Sequence, residues 1–149
     1  MAHWRMQLHP NDPSLASQYA YQSLVAGFIG LDFMTDVGDL MCTQQQQLPA
    51  TQRDYWAFAH QMAIGDRVLV MAHHFPLALA TVSGEYNYIR RTEPELGVWF
   101  RHFRRVEGVR YYSDWVTNAA SWQTITMTDT ISPLRDPNSA SHRLIDLWP

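Results

Sequence analysis

The stretch from Gly65 to Arg90 constrains the fold most. Gly65-Asp66 turns the chain into Arg67 to Ala72, an apolar run rich in Val and Leu. His73 to Pro76 interrupts that run, and Leu77 to Ser83 resumes it as a second strand. Two such runs across a short break are expected to pair as a β-hairpin. Gly84 then falls inside a strand pattern that continues from Tyr86 to Arg90, which predicts a bulge or a bend.

The remaining elements are short. Trp4 to Leu8 reads as a strand. Asp12 offers an N-cap and Pro13 suits the first helical position, so a helix is expected to about Val25, stopping at Gly27. Phe28 to Phe33 reads as a strand around Gly30. A second helix is expected behind a Thr51 cap, with Tyr55, Phe58, Ala59 and Met62 on one face. Gln44 to Gln47 reads as a polar loop. Val98 to Val106 and Trp122 to Met127 complete the strand candidates. Two early helices amid six or seven short, mostly hairpin-like strands indicate an α+β fold: a small barrel or a strongly bent, mostly antiparallel sheet.

At 149 residues the chain is the size of one domain. The expected division is a domain over 1–131 and a turn-rich tail over 132–149 that packs back on it. Charged residues make up 17%, against roughly 25% in typical soluble domains. Aromatics reach 13%, a surplus that suits either a thick core or a binding pocket. The N-terminus lacks the apolar run of a signal peptide, and no stretch approaches the ~20 apolar residues of a membrane span. A single Cys, Cys42, excludes an internal disulfide and fits a reducing cytoplasm.

Catalytic signatures are missing. There is no Gly-x-Ser-x-Gly elbow, no His-Glu-x-x-His and no deaminase pattern. The chain contains no Lys, so a Walker A loop or a Schiff-base lysine is excluded. His73-His74 is the one close His pair; adjacent strand residues face opposite ways, so a polar hairpin tip is expected there rather than a metal. Asp32, Asp36 and Asp39 lack the spacing of a calcium loop. No enzyme activity, metal or cofactor is therefore expected.

Two features point to binding. Tyr86 and Tyr88 share one face of a strand just after Gly84, where their rings either wall a pocket for a planar ligand or fill a barrel. The second feature is charge. The net charge is −3, which disfavours non-specific coating of nucleic acid. Yet six of the eleven Arg (90, 91, 101, 104, 105 and 110) crowd one stretch, interleaved with Trp99, Phe100, Phe103, Tyr111 and Tyr112. Arg holding phosphate beside rings holding bases suits a nucleic-acid surface. A solvated face paired with Glu93, Glu95 and Glu107 is the alternative.

The order of several segments carries a resemblance. They are Trp4-Arg5-Met6, Gly27 to Phe33, Tyr55 to Phe58 leading to Ile64 to Val70, Ala80 to Tyr88, and His102 to Val106. Over roughly residues 2 to 112 this order resembles the PUA-like superfamily. The nearest likeness is to the EVE and YTH-related modules at the N-termini of McrB-like and other modification-dependent restriction proteins. The resemblance implies a small β-barrel flanked by helices, with an aromatic pocket for a modified base flipped from duplex DNA or presented by RNA. It points to Asp32, Phe33, Trp56, Tyr86, Asn87 and Tyr88 as the base pocket, and the Arg-rich stretch supplies Arg90, Arg91, Arg104 and Arg105 for phosphate. Relatives often carry Trp where this chain has Leu31-Asp32-Phe33, so Phe33 would stand in.

The expected function is a non-enzymatic reader of modified DNA: the targeting module of a restriction or defence system, with a nuclease or GTPase effector supplied elsewhere. An RNA-binding PUA-like module is the second reading. A small ligand-binding barrel or enzyme using His73, His102 and an Asp is the third.

Overall fold

A computed structural model describes residues 1–8, 10, 12–72, 75–113 and 129–148. Strands β1 (His3–Gln7), β2 (Phe28–Leu31), β3 (Arg67–Ala72), β4 (Phe75–Val82), β5 (Asn87–Tyr88), β6 (His102–Tyr111) and β7 (Ile131–Pro133) form one curled sheet. Its order is β2-β6-β4-β3-β1-β7, with β5 also paired to β6. The β1/β3 pair is parallel and the other pairs are antiparallel. Among the described residues, three α-helices accompany the sheet: α1 (Ala16–Ala26), α2 (Trp56–His60) and α3 (Ala140–Asp146). The fold is therefore α+β, and the expected hairpin is the β3/β4 pair.

The apolar run of β3 has a simple cause. Val68 and Val70 enter the main core with α1 and α2, while Leu69 and Met71 enter a second core with Ile145 and Trp148 near α3. A strand covered on both faces reads as continuously apolar rather than alternating. The segment read as a turn-rich tail thus contributes edge strand β7 and helix α3. The expected strand at Trp122–Met127 and the His73-His74 tip lie outside the described residues.

Gly84 does bend the chain. β4 pairs with the far half of β6 and β5 with its near half, so the two run end to end along one edge of β6. At the junction a Cβ on Gly84 would stand 3.0 Å from the Arg105 Cβ. Gly27 ends α1 in the left-handed conformation, φ 86, as expected.

Several elements differ from expectation: the Tyr86–Arg90 strand shortens to Asn87–Tyr88, and the helix behind Pro13 opens as a 3-10 turn before α1. The Thr51 helix is a 3-10 stretch, Ala50–Tyr55, broken at Gln52, followed by only five α-helical residues. It stops because the Arg104 guanidinium takes the carbonyls of Phe58, Ala59 and Met62, which ends the need for further helical turns. β6 begins at His102 rather than Val98. Val98 instead closes a tight loop through paired backbone bonds with Glu93. Trp99 turns aside to donate to Gln22 on α1.

Gly30 sits where β2 presses on β6. An added Cβ would lie 2.5 Å from Phe100 Cδ2 and 2.6 Å from the His102 carbonyl oxygen. The backbone oxygen cannot move aside, so Gly30→Ala is expected to cost about 3 kcal/mol in chemical denaturation, the upper part of the usual overpacking range. Gly38 has φ +78 but open space around it; Gly38→Ala should cost only backbone strain, about 1 kcal/mol. Equal losses would show that the β2/β6 contact does not set the limit.

Candidate functional site

The end of β2, the loop after it, β5 and the start of β6 converge on His102. Its ring is fully buried. The Tyr86 hydroxyl lies 2.6 Å from His102 Nδ1 and accepts the Leu40 N–H at 3.0 Å. Donation from the Tyr86 hydroxyl to Nδ1 puts the proton of the neutral imidazole on Nε2, whereas the reverse tautomer makes Nε2 an acceptor. Among the described residues, Nε2 has no hydrogen-bond partner. Phe33 packs edge-on to the ring, and Tyr88 lies 5.2 Å away between centroids.

Burial pushes His102 down to about 4, against the pull of the nearby Asp36 carboxylate. Burial likewise raises the Tyr86 hydroxyl. Tyr88 donates to both oxygens of Asp36 at 2.9 and 2.8 Å. Partial burial alone would raise the Asp36 carboxyl, but the Gly38 N–H and the Tyr88 hydroxyl together hold it low. Asp32 is buried beside Arg101, with 3.1 Å between Oδ1 and Nη1. Desolvation dominates there and raises its carboxyl despite the Phe33 N–H and Arg101.

The loop from Met34 to Leu48 spans this cluster and is tied down along its length. Besides Asp36 and the Leu40 N–H, the Leu40 carbonyl meets His60 Nε2 at 2.7 Å, and the Thr43 carbonyl accepts the Trp56 indole at 3.1 Å. Trp56 stacks on His60 with centroids 3.9 Å apart. Both line a cleft of about 380 Å³ with Cys42 and the Gln44–Gln46 run.

The structure therefore brings Phe33, Tyr86 and Tyr88 together around one ring, with Asp32 just behind and Trp56 across the loop. Asn87 does not join them; it is exposed and bonds to the Glu85 carbonyl. Arg90, Arg91 and Arg105 are exposed. Arg91 pairs with Glu93 at 2.9 Å, and Arg105 lies over the Phe28 ring.

Arg104 requires correction. It is buried, and its nitrogens donate to the carbonyls of Phe58, Ala59, Met62 and Gly84, so it is a structural cation and does not face phosphate. The role of His102 as the hub was missed, although strand alternation marks it. Val106, Arg104 and His102 share one face of β6, and an inward Val106 puts the other two inward. Among the described residues, the His/Asp group with metal-ligand spacing lies elsewhere, at His3, His142 and Asp146.

A protein-family comparison matches residues 4–135 to the family described as a domain of unknown function, DUF8426. The chain belongs to that family. No curated protein matches the sequence significantly. Among the described residues, no helix is long and apolar enough to cross a membrane.

His102 makes stability pH-dependent with a defined sign. The unfolded imidazole takes a proton near pH 6.5, whereas the folded one resists until about pH 4. Between those values the unfolded state binds more protons, so stability falls as pH drops, by up to about 3 kcal/mol from this residue. Urea midpoints across that window should show the loss in the wild type and a smaller one in His102→Gln; equal slopes would remove His102 as the cause. Arg104→Lys keeps the charge but cannot reach four carbonyls. It is expected to lower stability by at least about 3 kcal/mol in the same assay.

Proposed function

We propose that the chain reads modified bases in DNA, as a PUA-like module that targets a separate effector. One observation carries this reading: the segment after β2 and the β5 segment close on a buried ring nitrogen, His102 Nε2, that has no partner among the described residues. A half-buried Tyr88 stands beside it. A flipped base offers what such a place lacks. Its edge carries ring nitrogens and carbonyls that accept and amino groups that donate, so it serves either tautomer, and its flat face stacks on tyrosine.

Phe33 is buried and packed against Tyr55 and His102, so it supports the ring group rather than stacking on a ligand. Tyr86 positions His102. Tyr88, Asp36 and the loop over them are the parts that meet the base, and entry requires that loop to shift. Stacking returns about 1–3 kcal/mol per base, against a flipping cost of a few kcal/mol. Arg90 and Arg91, two and three residues beyond Tyr88, supply phosphate contacts. A methyl group adds only about 0.8 kcal/mol by burial, so discrimination needs close fit around it.

Gel-shift titrations at low salt should show tighter binding to duplexes carrying methylcytosine, hydroxymethylcytosine or methyladenine than to the unmodified duplex. Tyr88→Ala should abolish the preference without unfolding the protein. Arg90→Ala and Arg91→Ala should weaken all duplexes alike, each reducing the salt slope by about 1. No preference on any duplex sinks the reading, and a preference for single-stranded RNA over every duplex replaces it with RNA binding.

A further inference from the structure

We infer that His3, His142 and Asp146 form a binding site for a divalent transition-metal ion of the zinc type, separate from the aromatic cluster. His3 opens β1, while His142 and Asp146 sit one turn apart on one face of α3. His3 Nε2 lies 3.7 Å from Asp146 Oδ1, and His142 Nδ1 lies 3.2 Å from Asp146 Oδ2. The two imidazoles are 4.6 Å apart between centroids, and one ligand atom from each of the three residues falls within 4.8 Å of the others. An ion about 2.0–2.2 Å from each ligand wants the ligand atoms roughly 3.4 Å apart in a tetrahedron. The half-exposed Asp146 side chain can make the small remaining adjustment by rotation.

Two further observations separate this group from a chance surface pair. The His3 side chain is only 10% exposed, so its ring is fixed with Nε2 toward Asp146. A ring fixed in that way holds its ligand atom in position before an ion arrives. Second, His3 and His142 line a cavity of about 620 Å³. It leaves room for water or another ligand in a fourth position.

The donor set selects the ion. Two imidazoles and one carboxylate suit zinc and its neighbours, whereas magnesium and calcium require more oxygen and copper(I) prefers sulfur. Both supporting elements are held in place beforehand. Arg5 on β1 donates to Ser141 on α3 at 2.9 Å, and Ile145 and Trp148 anchor α3 in the second core. All three ligands fall outside the 4–135 span of the family match, so the site would staple together the two flanks of that domain.

The test uses the untagged full chain, stripped with a chelator and titrated with cobalt(II) while its visible absorption is followed. The expected result is one ion per chain with the intense spectrum of low coordination, displaced by zinc and not by magnesium. Asp146→Asn, His142→Ala and His3→Ala should each weaken binding by at least about tenfold. Cys42→Ser should change nothing, because that exposed thiol is not part of the group. Zinc should also raise the thermal midpoint of the wild type and not of Asp146→Asn, a surface change that leaves the fold intact by circular dichroism. Undiminished affinity in Asp146→Asn and His142→Ala, or loss on Cys42→Ser, overturns the assignment.

Discussion

The Arg104 guanidinium is the joint on which the site depends. From the inward face of β6 it binds three carbonyls at the end of α2 and the Gly84 carbonyl at the bend between β4 and β5. A charged group taken from water is tolerable only when its donors are met, and a planar fork meets several fixed carbonyls at once. The consequence is geometric. α2, the Gly84 bend and β6 cannot move independently, and those three set the positions of His60, Tyr86 and His102.

The loop over the site is held in a different way. Its attachments are hydrogen bonds between ring side chains and main-chain atoms at Leu40 and Thr43, the Tyr88–Asp36 contact at the exposed end, and the side chains of Leu40 and Leu48, which are buried in the main core. Each such bond contributes about 1 kcal/mol net. The frame beneath is bound by a buried cation and close-packed glycines. The exposed stretch from Met34 to Asp36, held by the Tyr88 contact, is the part of the cover with the fewest ties to the frame.

Much of the frame was legible in the sequence. The β3/β4 hairpin and the Gly84 bend followed from apolar runs and a glycine out of place, and Gly27 marked the end of α1. Tyr86 and Tyr88 were legible as a shared face because strand alternation is strict. The second helix was misjudged because its apolar face is real but its length is decided by Arg104, forty-odd residues away. The β6 start was misjudged because Trp99 and Phe100 resemble strand residues while packing from a loop. A local pattern cannot register a partner that distant, and Arg104 itself reads as a surface charge until the parity of its strand is taken from Val106.

That correction also narrows how nucleic acid would be held under the proposed function. Of the six Arg between residues 90 and 110, Arg104 is spent on carbonyls and Arg101 on Asp32. Arg91 shares its charge with Glu93, and Arg105 rests on Phe28. Each neutralised phosphate contributes to affinity through counterion release, about 0.9 in the logarithmic salt slope. Under the proposed function, a surface with few free guanidinium groups on a net-acidic chain would bind duplex weakly through backbone contacts alone. Selectivity under the proposed function then has to come from the ring site around Tyr88 and His102, where a flipped unmodified base gains the same stacking and lacks only the close fit around the added group.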